Sequence, residues 1–231
     1  PEIRSTVVFL KKYKPIQYIF NETEFYNSLF YCSSKSLIPR PETEELVDWI
    51  VKDNKYDTKD YLDIGTGSGC IIISLCKSLK GTFTGVDISL DALKVAMINN
   101  DRNETNVSFE TVDIFDYDKD LTRSKLNIKY DIIVSNPPYV LNSEKKQMKK
   151  NVLDWEPNIA LFVEDDDPLI FYNNIADIAK NILNKNGKLY FEINERFGKE
   201  IVELLEKKEF VNIELKKDIN DKDRMIKAIW K

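Results

Sequence analysis

The sequence predicts a doubly wound α/β domain, a mostly parallel sheet with helices on both faces and an antiparallel C-terminal strand. Three observations predict it. After Asp60 the apolar pattern alternates between short strand-like runs and helical spacing, which demands crossover connections and therefore parallel strands. Three of the seven glycines fall within residues 65–69, between a strand pattern and a helix pattern. The last two strand patterns have no helix between them, so they pair antiparallel.

Residues 1–12 have helical spacing and read as the end of a helix, stopped by Pro15, whose ring blocks a further turn. Over 16–31, aromatic and β-branched residues alternate around Asn21 and Asn27-Ser28, which predicts a β-hairpin. Helical spacing returns over 43–51, with Pro41 in the first turn, where a missing N–H loses no partner. A strand at 61–64 leads through the glycines to an apolar helix at 70–79. A strand at 82–86 precedes a helix capped by Ser89 and ending near Asn100. Strands follow at 107–112 and 130–134, a helix at 169–183, a strand at 188–193 and a helix at 200–208. Strands at 211–215 and 225–230 close the chain.

A chain of 231 residues fits one large domain or one domain with a short appendage. The net charge of −5 argues against stable nucleic-acid binding and against an anionic membrane surface. No apolar run reaches the ~20 residues of a membrane span, and no signal-peptide pattern follows Pro1. Beginning without Met, the sequence reads as a piece of a longer one. Histidine is absent, which excludes Ser-His-Asp and Cys-His catalysis, a His base and His-ligated zinc. Cys32, Cys70 and Cys76 form no C-x-x-C pair and read as buried, reduced thiols. No metal is expected.

Gly65-Thr66-Gly67-Ser68-Gly69 sits at the first βα turn after Asp60. There the chain must bend sharply and let backbone approach a ligand. A dinucleotide fingerprint is G-x-G-x-x-G, with room for a pyrophosphate. The tighter G-x-G-x-G here, preceded by Asp63, suits a ribose and an amino-acid tail. Asp87 ends the next strand, where a carboxylate can accept both ribose hydroxyls. The bland alternatives are a tight turn and a solvated acid at a helix start; glycine this concentrated favours the ligand loop. Together the loop and Asp87 point to S-adenosyl-L-methionine (SAM).

The strand at 130–134 runs into Ser135-Asn136-Pro137-Pro138-Tyr139. Two prolines remove two N–H donors and leave carbonyls that only accept, at the sheet edge where open α/β folds bind ligands. If the Asn136 side-chain oxygen and the Pro137 carbonyl each take one N–H of a planar NH₂ group, its nitrogen can pyramidalise and aim a lone pair at the sulfonium methyl. Tyr139 would wall that pocket. Positioning and fixed dipoles would supply the acceleration without a strong base.

With both motifs in place, the chain resembles the HemK/PrmC family of protein-(glutamine-N5) methyltransferases, which modify peptide chain release factors. The resemblance rests on Pro15-Ile16-Gln17-Tyr18-Ile19, Glu24-Phe25, Leu37-Ile38-Pro39-Arg40-Pro41-Glu42-Thr43-Glu44, the glycine loop, the Asn136-Pro137-Pro138-Tyr139 element, and Glu156-Pro157 with Ala160-Leu161. Asn-Pro-Pro-Tyr alone is shared with adenine-N6 methyltransferases; the Ile-Pro-Arg-Pro-Glu-Thr stretch narrows it. The resemblance implies a Rossmann-like class I SAM-dependent methyltransferase sheet over 41–231. Residues 1–40 would be the end of an N-terminal helical domain plus a hairpin linker, the rest of that domain being absent.

The resemblance assigns Asp63, Gly65, Thr66, Gly67, Ser68, Gly69, Asp87, Asp113, Ile114 and Asn136 to the cofactor. It assigns Asn136, Pro137 and Tyr139 to catalysis, and these with Pro138, Arg40, Glu42 and Thr43 to the glutamine substrate. It implies a cytoplasmic monomer whose partner is a release factor, methylated on the glutamine of its Gly-Gly-Gln motif. The chain departs from the usual family pattern at Ile114, where many members carry Trp, and at Asn194, where a small residue is common.

Competing readings are a ribosomal-protein glutamine methyltransferase, a DNA or RNA adenine-N6 methyltransferase, and a non-catalytic SAM-binding subunit. A nicotinamide-dependent dehydrogenase has the wrong loop spacing. Lys145, Lys146, Lys149 and Lys150 read first as a solvated helix face and second as a contact to the substrate protein. The acids at 164–167 lack metal-site spacing and read as structural.

Overall fold

The computed structural model describes residues 3–119 and 128–231. Helix α1 (Ile3–Lys11) and the short α2 (Ile16–Phe20) precede the hairpin β1 (Glu22–Phe25) and β2 (Ser28–Tyr31). Then come α3 (Pro41–Asn54), β3 (Thr58–Ile64), α4 (Cys70–Ser78), β4 (Lys80–Asp87), α5 (Leu90–Arg102), β5 (Val107–Thr111) and β6 (Tyr130–Ser135). A small two-stranded ladder, β7 (Val140–Leu141) with β8 (Phe162–Val163), flanks α6 (Lys150–Leu153). The chain ends with α7 (Ile170–Ile182), β9 (Leu183–Glu192), α8 (Gly198–Lys207), β10 (Val211–Lys217) and β11 (Asp223–Ile229).

The main sheet has seven strands in the order β10-β11-β9-β6-β3-β4-β5. Its ladders from β9 to β5 are parallel, and β11 runs against both its neighbours. This is the doubly wound, mostly parallel sheet that the sequence predicts, with its antiparallel C-terminal strand. Alternation along each strand supplies both faces. Leu62 and Ile64 pack with Ile175, Ile178 and Ile201 under α7 and α8. Tyr61, Ile132 and Tyr190 pack with Leu46, Ile50 and Ile72 under α3 and α4. Each fully buried aliphatic side chain contributes about 1.5–3 kcal/mol.

Chain order reverses between β3 and β6, so the sheet opens a crevice at their carboxyl ends. Register sets what meets there. Ile64 pairs with Val86 on one side and with Ser135 on the other, so Gly65, Asp87 and Asn136 emerge at one level. Ser135 also pairs with Phe191, which brings Glu192 level with Asn136.

Helix ends follow the sequence: Pro41 opens α3, and Ser89 caps α5 by accepting from the Ala92 N–H at 3.2 Å. Gly69, at φ +79°, starts α4 where a Cβ would lie 2.9 Å from Ile73 Cδ1 and 3.2 Å from Ala96 Cβ.

The amino-terminal region differs from expectation. Ile16–Phe20 is a helix, not a strand of the hairpin. The Pro15 carbonyl accepts from the Tyr18 and Ile19 N–H groups, and Asn21 ends the turn in the left-handed region. Alternation over so few residues fits one helical turn as well as a strand. The hairpin turn is centred on Tyr26 and Asn27, both left-handed, as a two-residue turn matching strand twist requires.

The hairpin is built into the body. Phe25 and Phe30 are buried against the α3–α4 side. Asn99 of α5 accepts from the Tyr31 N–H at 2.6 Å and donates to the carbonyls of Tyr31 and Ser68. Among the described residues no helix is long and apolar enough to cross a membrane.

Candidate active site

The crevice between β3 and β6 forms a cleft of about 440 Å³, a volume suited to a nucleoside-sized ligand. On one wall the glycine loop is stitched to β4, because the Gly65 and Thr66 N–H groups both donate to the Val86 carbonyl at 2.9 Å. Gly65 and Gly67 have φ of +73° and +55°. A Cβ on Gly65 would meet nothing within 4 Å, so the backbone there faces open space that a side chain would fill.

Asp87 lines the same cleft. Its Oδ2 accepts from the Gly67 N–H at 2.9 Å and its Oδ1 from the Ser89 N–H at 2.8 Å. Burial pushes its carboxyl upward while these backbone donors pull it down. Each oxygen keeps a lone pair for a ligand hydroxyl. Together with the uncrowded glycine backbone, this set fits a nucleoside with an amino-acid tail.

Asp63 departs from expectation. It does not line the cleft; it lies fully buried under the loop, where Thr66 Oγ1 donates to its Oδ2 at 2.7 Å. Its Oδ1 has no hydrogen-bond partner among the described residues. Burial raises its pKa from the ordinary 3.8 to about 7. Between those values the folded chain holds a proton that the unfolded chain has lost, so this group's stabilisation fades as pH rises to 7 and is level above. Asp63→Asn removes the titration. Its stability relative to the parent is expected to rise with pH by up to about 1.4 kcal/mol per unit below pH 7. Urea unfolding across pH 5–8 measures this, and parallel curves for the two proteins would refute it.

At the end of β5, Asp113 and Ile114 line the cleft as expected of a base-binding wall. Asp113 Oδ1 accepts from the Phe115 N–H at 2.9 Å. The Ile114 carbonyl accepts from Asn174 Nδ2 at 3.1 Å, while its side chain packs against the core. Two further residues complete this wall: Phe115 and Phe171, edge-to-face with ring centroids 5.2 Å apart. Phe115 adjoins the expected pair in sequence and was legible as an aromatic there; Phe171 arrives from α7 and was not.

The opposite wall holds Asn136, Pro137 and Pro138, anchored by Ser135 Oγ, which donates to the Ile64 carbonyl at 2.6 Å. Asn136 Nδ2 donates to Thr43 Oγ1 at 3.3 Å, and Thr43 Oγ1 donates to Glu192 Oε2 at 2.6 Å. Tyr139 does not wall the cleft. Its ring packs against the core beside α7, and its hydroxyl donates to Glu192 Oε1 at 3.0 Å. Glu192 is 1% exposed, and sequence reading missed it. The available signal was a single acid inside the apolar run Leu189-Tyr190-Phe191-Glu192-Ile193. Asn194 donates to the Tyr139 carbonyl at 3.0 Å and so fixes the Asn-Pro-Pro-Tyr turn from outside.

Arg40 lines the cleft, held by the buried Glu156 at 2.5 Å, whose other oxygen accepts from the Ile38 N–H. This joins the two family-like stretches across the crevice. Glu42 is half-exposed and does not line the cleft, because the first turn of α3 directs it elsewhere. Cys70 lines the cleft, but burial pushes its thiol up to about 12, so it offers no thiolate nucleophile. Lys145, Lys146, Lys149 and Lys150 lie outside the lining. Lys145 sits over the Phe162 ring at 4.1 Å and Lys150 over Tyr13 at 5.4 Å. The acids Glu164 and Asp165 hold Asn142 and Ser143 by hydrogen bonds, a structural role.

Residues 55–231 match a family model described as a methyltransferase domain. The chain is 53% identical to a release factor glutamine methyltransferase of Flavobacterium psychrophilum, covering 95% of this chain and 76% of the relative. It is 47% identical to one of Bacteroides thetaiotaomicron, covering 98% and 80%. Its fold is similar to the crystal structure of a methyltransferase from Pyrococcus furiosus, with a TM-score of 0.63 at 16% identity, covering 98% and 96%.

Proposed function

The chain belongs to the family of release factor glutamine methyltransferases, and from that premise we propose how its residues transfer a methyl group from SAM to the side-chain nitrogen of a release-factor glutamine, the one in the Gly-Gly-Gln motif. Asp87 would hold the ribose hydroxyls, the Gly65–Gly69 backbone the amino-acid tail, and Asp113, Ile114, Phe115 and Phe171 the adenine. Bound there, SAM supplies an electrophilic methyl group on a sulfonium.

The residues of the opposite wall prepare the nucleophile. An amide nitrogen is a weak one, because its lone pair is delocalised into the carbonyl. Asn136 Oδ1 and the Pro137 carbonyl each accept one of its N–H bonds, which favours a pyramidal nitrogen with its lone pair free. Neither is a base, so the surplus proton passes to water after transfer. The chain accelerates the step by holding the two reactants in line and by fixed dipoles that need no reorganisation. Pro138 and Arg40 border the entrance. The single observation that carries the reading is Asn136, level with Asp87 across one cleft.

The net charge of −5 favours a protein substrate over nucleic acid, and a translation factor as substrate favours a cytoplasmic site of action for a monomeric enzyme. In this reading residues 41–231 carry catalysis, and residues 1–40 are the N-terminal appendage, to which α1, α2 and the hairpin belong.

The test is mass spectrometry of a purified release factor incubated with the protein and SAM. One added methyl, mapped to the Gly-Gly-Gln glutamine, is the expected result. An unmodified glutamine under conditions where calorimetry shows SAM bound would overturn the substrate.

A further inference from the structure

Three residues from distant parts of the chain form one hydrogen-bond chain behind the substrate wall, buried at Glu192 and Thr43 and part-buried at Asn136: Glu192 at the end of β9, Thr43 in α3, and Asn136 after β6. Thr43 is 2% exposed and Glu192 1%, so water cannot substitute for either partner. A carboxylate only accepts, so the Thr43 hydroxyl proton is committed to Glu192. The Thr43 oxygen can then only accept in turn, and the Asn136 group facing it must be the NH₂. The second oxygen of Glu192 accepts from Tyr139, which leaves the carboxylate no freedom to rotate.

We propose that Glu192 is a positioning residue: acting through Thr43, it fixes the direction of this chain so that Asn136 presents its carbonyl oxygen to the substrate. The proposal rests on the glutamine reading above and deepens it. A site lined by Asn136 Oδ1 and the Pro137 carbonyl accepts an NH₂ and repels a carboxylate of the same shape. Glu192 therefore sets the discrimination between glutamine and glutamate without touching either. Charged and titratable groups around it are Arg224 on β11, Glu42 on α3, Cys70 on α4, Tyr139, and Tyr172 on α7. Burial pushes the Glu192 carboxyl above the ordinary range, opposed by the hydroxyls of Thr43 and Tyr139 and then by Arg224.

The test compares the parent with Glu192→Met, Thr43→Ser and Thr43→Val in two assays. The first needs no substrate: NMR hydrogen exchange of the Asn136 side-chain amide, assigned by its loss in Asn136→Ala. The parent and Thr43→Ser protect one amide proton. Glu192→Met frees Thr43 to donate to Asn136, turning the NH₂ into the cleft, and loses that protection. Thr43→Val loses it too and serves as the second route if Glu192→Met does not fold.

The second assay follows methyl transfer to the release factor and its inhibition by the same protein carrying Gln→Glu at the acceptor. Glu192→Met lowers glutamine turnover about tenfold, the worth of one hydrogen bond, keeps parental SAM affinity, and is inhibited more strongly by the glutamate form. Thr43→Ser restores parental behaviour in both assays. Unchanged amide protection in Glu192→Met, or turnover and inhibition weakening together as a packing defect would cause, overturns the proposal. A parent that leaves the glutamine unmodified instead refutes the substrate reading, and the exchange assay still reports on the chain.

Discussion

Asn136→Ala is expected to lower kcat by about 10²–10³-fold, the effect of deleting one preorganised polar contact to the reacting group, while SAM binds with parental affinity. The separation follows from position. Asn136 stands on the wall opposite Asp87, and its side-chain amide donates to Thr43, away from the cofactor loop. Truncation removes one of the two acceptors for the substrate NH₂ and leaves the ribose site whole. It also strips Thr43 of a partner, a smaller loss of about 1 kcal/mol in stability. Turnover and SAM affinity measured on one preparation decide the matter. Turnover near the parental value would remove Asn136 from the mechanism.

Asp87→Ala is expected to weaken SAM binding by about 1.5–3 kcal/mol, the worth of a hydrogen bond to a charged group. Two effects act together. The ribose hydroxyls lose their acceptors, and the Gly67 and Ser89 N–H groups lose theirs, so the loop is no longer held in its binding shape. Asp87→Asn keeps one acceptor and should fall between the two. Isothermal calorimetry with SAM reads both variants directly. An affinity unaltered in Asp87→Ala would mean that the ribose is held elsewhere.

Much of the fold was legible because its signals are local. The periodicity of 70–79 and 169–183 reports a helix face, and the break to strand alternation after Asp60 reports the sheet. The absence of a helix before the last strand was enough to place β11 antiparallel. Glycine at 65, 67 and 69 was readable because all three take left-handed backbone that disfavours other residues, and at 69 a Cβ would also crowd Ile73. Where a local pattern was too short to be specific, as in Ile16–Phe20, the reading went to the wrong element.

What sequence alone determined, then, is the sheet, the glycine loop, Asp87 at the end of β4 and the Asn-Pro-Pro turn. Each is imposed by steric or bonding demands within one short segment. Tertiary structure alone decided that Asp63 lies beneath the loop, that Tyr139 turns to Glu192, that Phe171 joins Phe115, and that Thr43 backs Asn136. Those meetings depend on the register of β6 against β9 and on the seating of α3 and α7 across the sheet. A register is a relation between segments far apart in the chain, and a shift of one residue would turn each side chain to the opposite face.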